Sequence, residues 1–510
     1  MGTDQRQESQ AGSDTQENLD DSAVEVLEHD IEHLGGDMAE ALGGQDYTTS
    51  VVPPTKRRSN WVMFWLWATL QVSVAYMYTG YLARSQGLTL GDMIVAGLIS
   101  AVVIFLYGSL AANLGAYTGQ THTLLTRTIY GRAGSGFVSV LLIVMGMGWY
   151  GFQAYFLALI LQGLFGFSDG VVPVLSAIFG FVMIANNLFG FRGVAAYARY
   201  VAAPLLLAWG FYALIKGFAT VPGDVLFSAP KGSVTTTVFV IVGLLVGGAA
   251  WGNEPDIFRY SYPKRPYNLP TLAFGYLTGA LVFPVAGYLM AELSSTTDFG
   301  SVFKYFVDFS LFGLTGLAVV VFFINQFALN DGNLYESINA MQNIFGWRRY
   351  FSVLLLGVAG AILGASMASV QNSFFIVANI SGIFVPCATT IMAVDHFIVP
   401  RVFGLKRPTY KVTSWANTAF INWVGVISLV IALVVGAYTG GLIPGTSGFG
   451  TTNIGLPTLQ SWIVAAVAYL IGVAIVKGRP EAYRLLGYPH DFKAPAPTST
   501  TTPAPAGAAG

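Results

Sequence analysis

Twelve apolar segments follow one another along this chain, each close to the length that a helix needs to cross a lipid bilayer. They read at roughly 61–83, 91–118, 135–164, 172–190, 197–217, 234–258, 271–292, 311–339, 350–369, 372–399, 415–436 and 458–476. About 20 predominantly apolar residues span the hydrocarbon as a helix. Composition excludes a soluble alternative: 54% of the 510 residues are hydrophobic and only 10% are charged, against about 25% charged in globular proteins. The 59 glycines fit as well, since glycine lets membrane helices approach closely. The expected fold is an all-α integral membrane protein of about twelve transmembrane helices, with an even count placing both termini on one side.

Lysine and arginine set the orientation. With a cytoplasmic N-terminus, 21 of the 25 basic residues fall inside, and only Arg84, Lys216, Lys231 and Lys304 fall outside. That asymmetry follows the positive-inside rule, and a wrong helix count would have scrambled it. A multi-pass protein of the cell (plasma) membrane is expected, both termini cytoplasmic. Residues 1–55 are acidic and rich in Gln, Ser and Asp, which predicts a disordered cytoplasmic tail. They lack the basic start and apolar core of a signal peptide. Residues 481–510, turning Pro/Ala/Thr-rich from Ala494, read as a second cytoplasmic tail. The membrane domain is then 56–480. The single cysteine, Cys387, allows neither an intramolecular disulfide nor a thiolate metal site.

Polar residues in mid-membrane are costly and mark either a pathway or a packing contact. The eighth segment reads Asn325-Gln326-Phe327-Ala328-Leu329-Asn330-Asp331-Gly332-Asn333-Leu334-Tyr335-Glu336, more amides and carboxylates than helix packing alone needs. The sixth holds Gly247-Gly248-Ala249-Ala250-Trp251-Gly252-Asn253-Glu254-Pro255-Asp256 ahead of Arg259. Glycines and a proline so close together predict a broken helix, whose freed backbone groups face protein or a cavity. The third carries Trp149 and Gln153, four apart and so on one face. The first carries Gln71 and Ser73 near its middle. A lone glutamine or serine here is more often a packing hydrogen bond than a ligand contact. Asp256 and Arg259, three apart, read equally as a structural ion pair, and Trp149 alone reads as core. An aromatic with an amide on one face is more specific, because a planar heterocycle needs a stacking surface and an edge reader.

Several motifs fall away. Gly146-Met147-Gly148-Trp149-Tyr150-Gly151 fits G-x-G-x-x-G but lies within a membrane helix with no strand before it. Gly243/Gly247, Gly275/Gly279 and Gly360/Gly364 read as close helix packing. No nucleotide-binding P-loop is present, and His122 and His396 lack metal-ligand partners at suitable spacing. No cofactor, metal or nucleic-acid partner is expected, and no nucleophile–base pair points to an enzyme.

Over about 60–480 the chain resembles the nucleobase:cation symporters, which include purine/cytosine permeases and the hydantoin transporter. The likeness lies in Thr79-Gly80, in Gly115-Ala116-Tyr117-Thr118-Gly119 through Leu124-Leu125 to Tyr130-Gly131, and in Gly148-Trp149-Tyr150-Gly151. It continues in Pro255-Asp256 with Arg259-Tyr260, and in Asn330-Asp331 through Leu334-Tyr335. The resemblance implies a LeuT-type 5+5 inverted repeat plus two helices: helices 1–5 at about 61–217, helices 6–10 at about 234–399, and helices 11–12 at about 415–476. The substrate then binds beside breaks in helices 1 and 6. The polar helices picked out above, 1, 3, 6 and 8, are the set that such a fold would gather. Trp149 is similar to the family's stacking tryptophan, Gln153 to an edge-reading glutamine, and Asn330 to the substrate-binding asparagine of helix 8. Gln71, Ser73, Gly247, Gly248 and Trp251 complete the expected substrate site.

Two departures bear on function. Gly247 stands where the family often has a second aromatic. Either Trp251, one turn on, replaces it or the pocket is wider and admits a purine. Where sodium-coupled members place two hydroxyl residues on helix 8, this chain has Ala328 and Leu329. A proton is therefore favoured over sodium as the co-transported cation, with Glu254, Asp331 and Asn325 as the candidate coupling residues. A poorly solvated carboxylate can bind and release a proton near neutral pH. Glu254 reads equally as an ion paired with an arginine. The resemblance thus implies import of a purine, cytosine, uracil, hydantoin or allantoin by cation symport. A LeuT-fold carrier of another solute, an amino acid or vitamin coupled to sodium, is the alternative. Against an amino-acid carrier, helix 1 has no glycine between Trp61 and Tyr78 to free backbone N–H groups for a carboxylate.

Overall fold

The computed structural model describes residues 47–229, 235–263, 265–296, 298–409, 412–443, 455–490 and 492. Hydrocarbon offers no hydrogen-bond partner, so each apolar segment satisfies its backbone internally as a helix. The first segment is a pair, α1 (Asn60–Gln71) and α2 (Val74–Ser85). Then come α3 (Leu90–Thr118), α4 (His122–Phe165), α5 (Val171–Val182) and α6 (Ala203–Thr220). The sixth segment is again a pair, α7 (Thr235–Ala249) and α8 (Glu254–Phe258). The seventh joins α9 (Arg265–Leu277) to α10 (Phe283–Leu293) through a π-helical turn. The rest are α11 (Thr315–Phe345), α12 (Arg349–Ser366), α13 (Val370–Ala393), α14 (Trp423–Thr439) and α15 (Pro457–Val476).

Ten described helices are long and apolar enough to cross a membrane. The α1–α2 pair and the 17-residue α14 make a total compatible with twelve. Burial sorts them. In the most apolar stretch of Val238–Phe258, 83% of residues are buried, against 33% in Pro457–Val476, so the sixth span is central and the last peripheral. Along α3 the exposed Val95, Leu98, Val102, Leu106 and Leu110 recur every three or four residues as a lipid-facing stripe. The glycine pairs do pack closely. Gly360 lies against the Tyr150 ring, Gly364 against the Gly151 carbonyl, and Gly275 and Gly279 against α1.

Both breaks are built from tertiary bonds. Val72 and Ser73 are extended, and no glycine or proline forces them so. Instead the Asn325 amide of α11 clasps the gap, accepting from the Val74 N–H (3.0 Å) and donating to the Val72 carbonyl (2.8 Å). The Ser73 hydroxyl caps α2 by accepting from the Ala75 N–H. In the sixth span the break predicted from glycine and proline is present. Gly252 holds φ +83°, and a Cβ there would meet the backbone at Val385–Pro386.

Four boundaries differ from expectation. Gly131, at φ +76°, turns the chain within α4, so the third crossing starts just after it and His122–Tyr130 forms a separate short helix. Residues 419–422 dock there: Arg132 and Ala133 N–H donate to the Ala419 and Phe420 carbonyls, and Asn422 N–H to Tyr130. That docking is why the segment expected at 415–436 becomes helix only at Trp423. The tail assigned to 1–55 is packed protein from residue 47. Val52 is buried and its N–H donates to the Gly119 carbonyl, while Arg57 donates to the Ala116 and Ser261 carbonyls. Burial, and then the Arg259 charge, pull the Arg57 guanidinium down to about 10, which leaves it charged at neutral pH. The tail assigned to 481–510 likewise begins packed, with Leu486 and Tyr488 buried and Arg407 donating to the Leu486 and Gly487 carbonyls. Residues 1–46 and 493–510 lie outside the described residues.

Candidate functional site

The two breaks meet at a small enclosed chamber. It is lined by Ser73 and Tyr76 from the first span, Trp149 and Gln153 from α4, Gly248 and Trp251 from the sixth span, and Leu329 and Asn333 from α11. One backbone carbonyl organises two of its rings: Gly248, left without a helical partner, accepts from the Trp251 indole (2.6 Å) and the Tyr76 hydroxyl (2.8 Å). Trp149 is set by edge-on contacts with Phe152 and Phe374. Its indole nitrogen and the Gln153 side-chain oxygen are buried without a hydrogen-bond partner. Buried polar groups are ordinarily paired, so a donor and an acceptor held ready beside aromatic faces mark a place for a polar, flat molecule. The space within it is about 10 Å³, room for about one water.

Five expected substrate residues converge there: Ser73, Trp149, Gln153, Gly248 and Trp251. Three do not. Gln71 faces the glycine side of the seventh span, against Gly275 and Gly279. Gly247 abuts the Ala378 carbonyl of α13, where a Cβ would clash at 2.2 Å. Asn330 turns to α4 and the stretch after α5, donating to the Tyr150 carbonyl (3.1 Å) and the Met183 sulfur (3.0 Å). The amide of α11 that lines the chamber is Asn333, held by donating to Asn330 Oδ1 (3.2 Å). Tyr76, Leu329 and Asn333 are the lining residues that the sequence reading left out of the substrate site. The i,i+4 pair Leu329–Asn333 was the available signal, and Leu329 proves to face the chamber.

The coupling candidates separate. Asn325 is committed to the α1–α2 gap. Asp331 accepts from Asn186 (2.8 Å) and Asn187 (3.4 Å), on the side of α11 facing the turn after α5. Glu254 opens α8, is buried, and accepts from the Tyr276 hydroxyl at 3.3 Å.

Broken first and sixth spans that meet at one chamber, within a bundle of this length, define a LeuT-type membrane fold. The backbone is similar to Mhp1, a nucleobase-cation-symport-1 family transporter, in a closed conformation with bromovinylhydantoin bound (TM-score 0.66, 17% identity, covering 86% of this chain and 98% of that one). A Na⁺-coupled sialic acid symporter in a substrate-bound outward-open state shares the fold (TM-score 0.59, 11% identity, 84% and 92% covered). The chain belongs to the family of permeases for cytosine/purines, uracil, thiamine and allantoin, which matches residues 51–447. Cytosine permease of Escherichia coli strain K12 is 23% identical over 402 residues, covering 78% of this chain and 90% of the relative. Hydantoin permease of Microbacterium maritypicum is 23% identical over 434 residues, covering 78% and 85%.

Proposed function

We propose that this permease imports a nucleobase or related planar heterocycle by proton symport across the plasma membrane, with both termini cytoplasmic. The observation that carries the substrate class is the convergence of two indoles, Trp149 and Trp251, with the amides of Gln153 and Asn333 at the junction of the helix breaks. Indole faces accept any flat ring. Amides, which offer both a donor and an acceptor, select the ring edge. The chamber's contacts favour this over an amino-acid carrier, because the described lining holds no charged side chain to meet an ammonium or carboxylate.

Support for proton coupling comes from α11, where Ala328 and Leu329 supply no side-chain oxygen and the Asn325 oxygen accepts from Val74. Glu254 and Asp331 are two buried carboxylates placed to carry the proton. The test is uptake into proteoliposomes of labelled cytosine, uracil, adenine, hypoxanthine, hydantoin and allantoin, driven by an imposed pH gradient or a sodium gradient, each without the other. At least one of these rings should accumulate under the pH gradient. Sodium-driven uptake indifferent to pH would refute the coupling, and preference for an amino acid would refute the substrate class.

A further inference from the structure

Beyond the chamber, on the side where the described termini pack, α8 is sheathed by α3, α4 and α11, and three carboxylates are buried together. Each is at most 1% exposed: Glu254, Asp256 and Glu336. They are not equivalent. Asp256 accepts from the Asn339 amide (3.1 Å) and the His122 backbone N–H (3.2 Å). Glu254 accepts from Tyr276, with the backbone amides of Trp251 and Gly252 beside it. Among the described residues, Glu336 has no hydrogen-bond partner on either oxygen.

Beside Glu336 stands Asn253, out of hydrogen-bond geometry, fully buried and with both amide atoms unpartnered. Asn253 occupies the cap position of α8, yet its side chain caps nothing. The charged groups facing Glu336 are Asp256 and Glu254. Arg259, at the end of α8, directs its donors to the Asp256 carbonyl, the Tyr47 carbonyl and the Tyr335 hydroxyl. Arg57 lies near Arg259, and on α4 the His122 ring turns away to Thr389. An ionised carboxylate without a hydrogen bond or a cation is costly to bury, and two further carboxylates raise that cost.

We propose that Glu336 is the proton-binding site of the transport cycle, protonated while the chamber is closed and deprotonated to water when the α8 side opens. This rests on the proton-coupled reading above and moves the proton from Glu254 and Asp331 to a third residue. The step is a simple acid dissociation: the Glu336 O–H bond breaks and the proton passes to water. Coupling has a geometric basis, because Glu336 lies one turn from Asn333 on α11 and Asn253 lies two residues from Trp251. Substrate and proton thus bear on the same two elements, the α7–α8 break and one face of α11, as linkage between two ligands requires.

The test uses the full chain in proteoliposomes with the best-transported ring of the panel. One proton per substrate supports about tenfold accumulation per pH unit. Glu336→Gln should lose that accumulation, falling toward unity, while still exchanging labelled for unlabelled substrate across the membrane. Loss of accumulation in Glu254→Gln or Asp331→Asn, with retention in Glu336→Gln, would return the proton to those residues. If the wild type ignores the pH gradient, the proton-coupled reading itself fails. If the wild type responds and Glu336→Gln responds equally, that reading stands and the assignment to Glu336 falls. Should Glu336→Gln lose exchange as well, Asn253→Asp reads the same place. A carboxylate added beside Glu336 should move the midpoint of the uptake–pH profile to higher pH, and an unmoved midpoint overturns the proposal.

Discussion

At the scale of single residues, the proposed substrate chamber separates side chains that line it from side chains that hold that lining. Trp149 offers a ring face, and base–aromatic stacking contributes about 1–3 kcal/mol elsewhere. Trp149→Ala should therefore raise the half-saturation of uptake by roughly 5- to 150-fold with unchanged membrane expression. An unchanged half-saturation would reduce Trp149 to packing. Asn333 and Asn330 make a sharper pair. Asn333→Ala should reorder the panel of analogues, since an edge contact discriminates where stacking does not. Asn330→Ala should instead lower thermal stability, by about 1–3 kcal/mol for the buried groups left unpaired, and disturb the ranking less than Asn333→Ala does. The reverse outcome would return Asn330 to the chamber. Trp149 and Gln153 were legible in the sequence because a four-residue spacing fixes a shared face. Asn330 against Asn333 was not, because the choice between two amides on adjoining faces depends on how α11 is rotated about its axis, which only packing sets.

At the scale of elements, the two breaks were legible to different degrees for a physical reason. The sixth-span break announces itself locally, through Gly252 in a left-handed conformation and Pro255 in the first turn of α8. The first-span break has no such mark and depends on a partner about 250 residues away, the Asn325 amide. Asn325→Ala strands a donor and an acceptor in the membrane interior, at about 1–3 kcal/mol each. The expected result is a clear fall in melting temperature in detergent together with loss of uptake. Asn325→Asp keeps the acceptor for Val74 but cannot donate to Val72, so it should fall between the two. Equal melting temperatures for all three proteins would mean that the gap is held by something else.

For the molecule as a whole, the arrangement of charge predicts an orientation that thiol chemistry can check. Cys387 is buried, so it stays silent toward a membrane-impermeant thiol reagent. Lys304 and Glu481 are exposed, on opposite sides of the membrane by the positive-inside reading. In intact cells the reagent should modify Lys304→Cys and spare Glu481→Cys until the membrane is opened; the opposite pattern would invert the topology. The succession of apolar helices was readable because bilayer thickness acts on each segment separately. The packing of residues 47–55 and 482–488 was not, because polar sequence that folds onto a transporter looks like polar sequence left in solvent. The stretch from Tyr47 to Arg58 binds Arg259, the Gly119 carbonyl, the Ser261 carbonyl and the Tyr260 carbonyl in turn. It therefore stitches the end of α3 to the far end of the sixth span. A shortened protein that starts just before Tyr47 keeps these four contacts, whereas one that starts after Arg58 releases the end of the helix that carries Glu254 and Asp256, so the choice of first residue is a choice about how firmly that helix end is held.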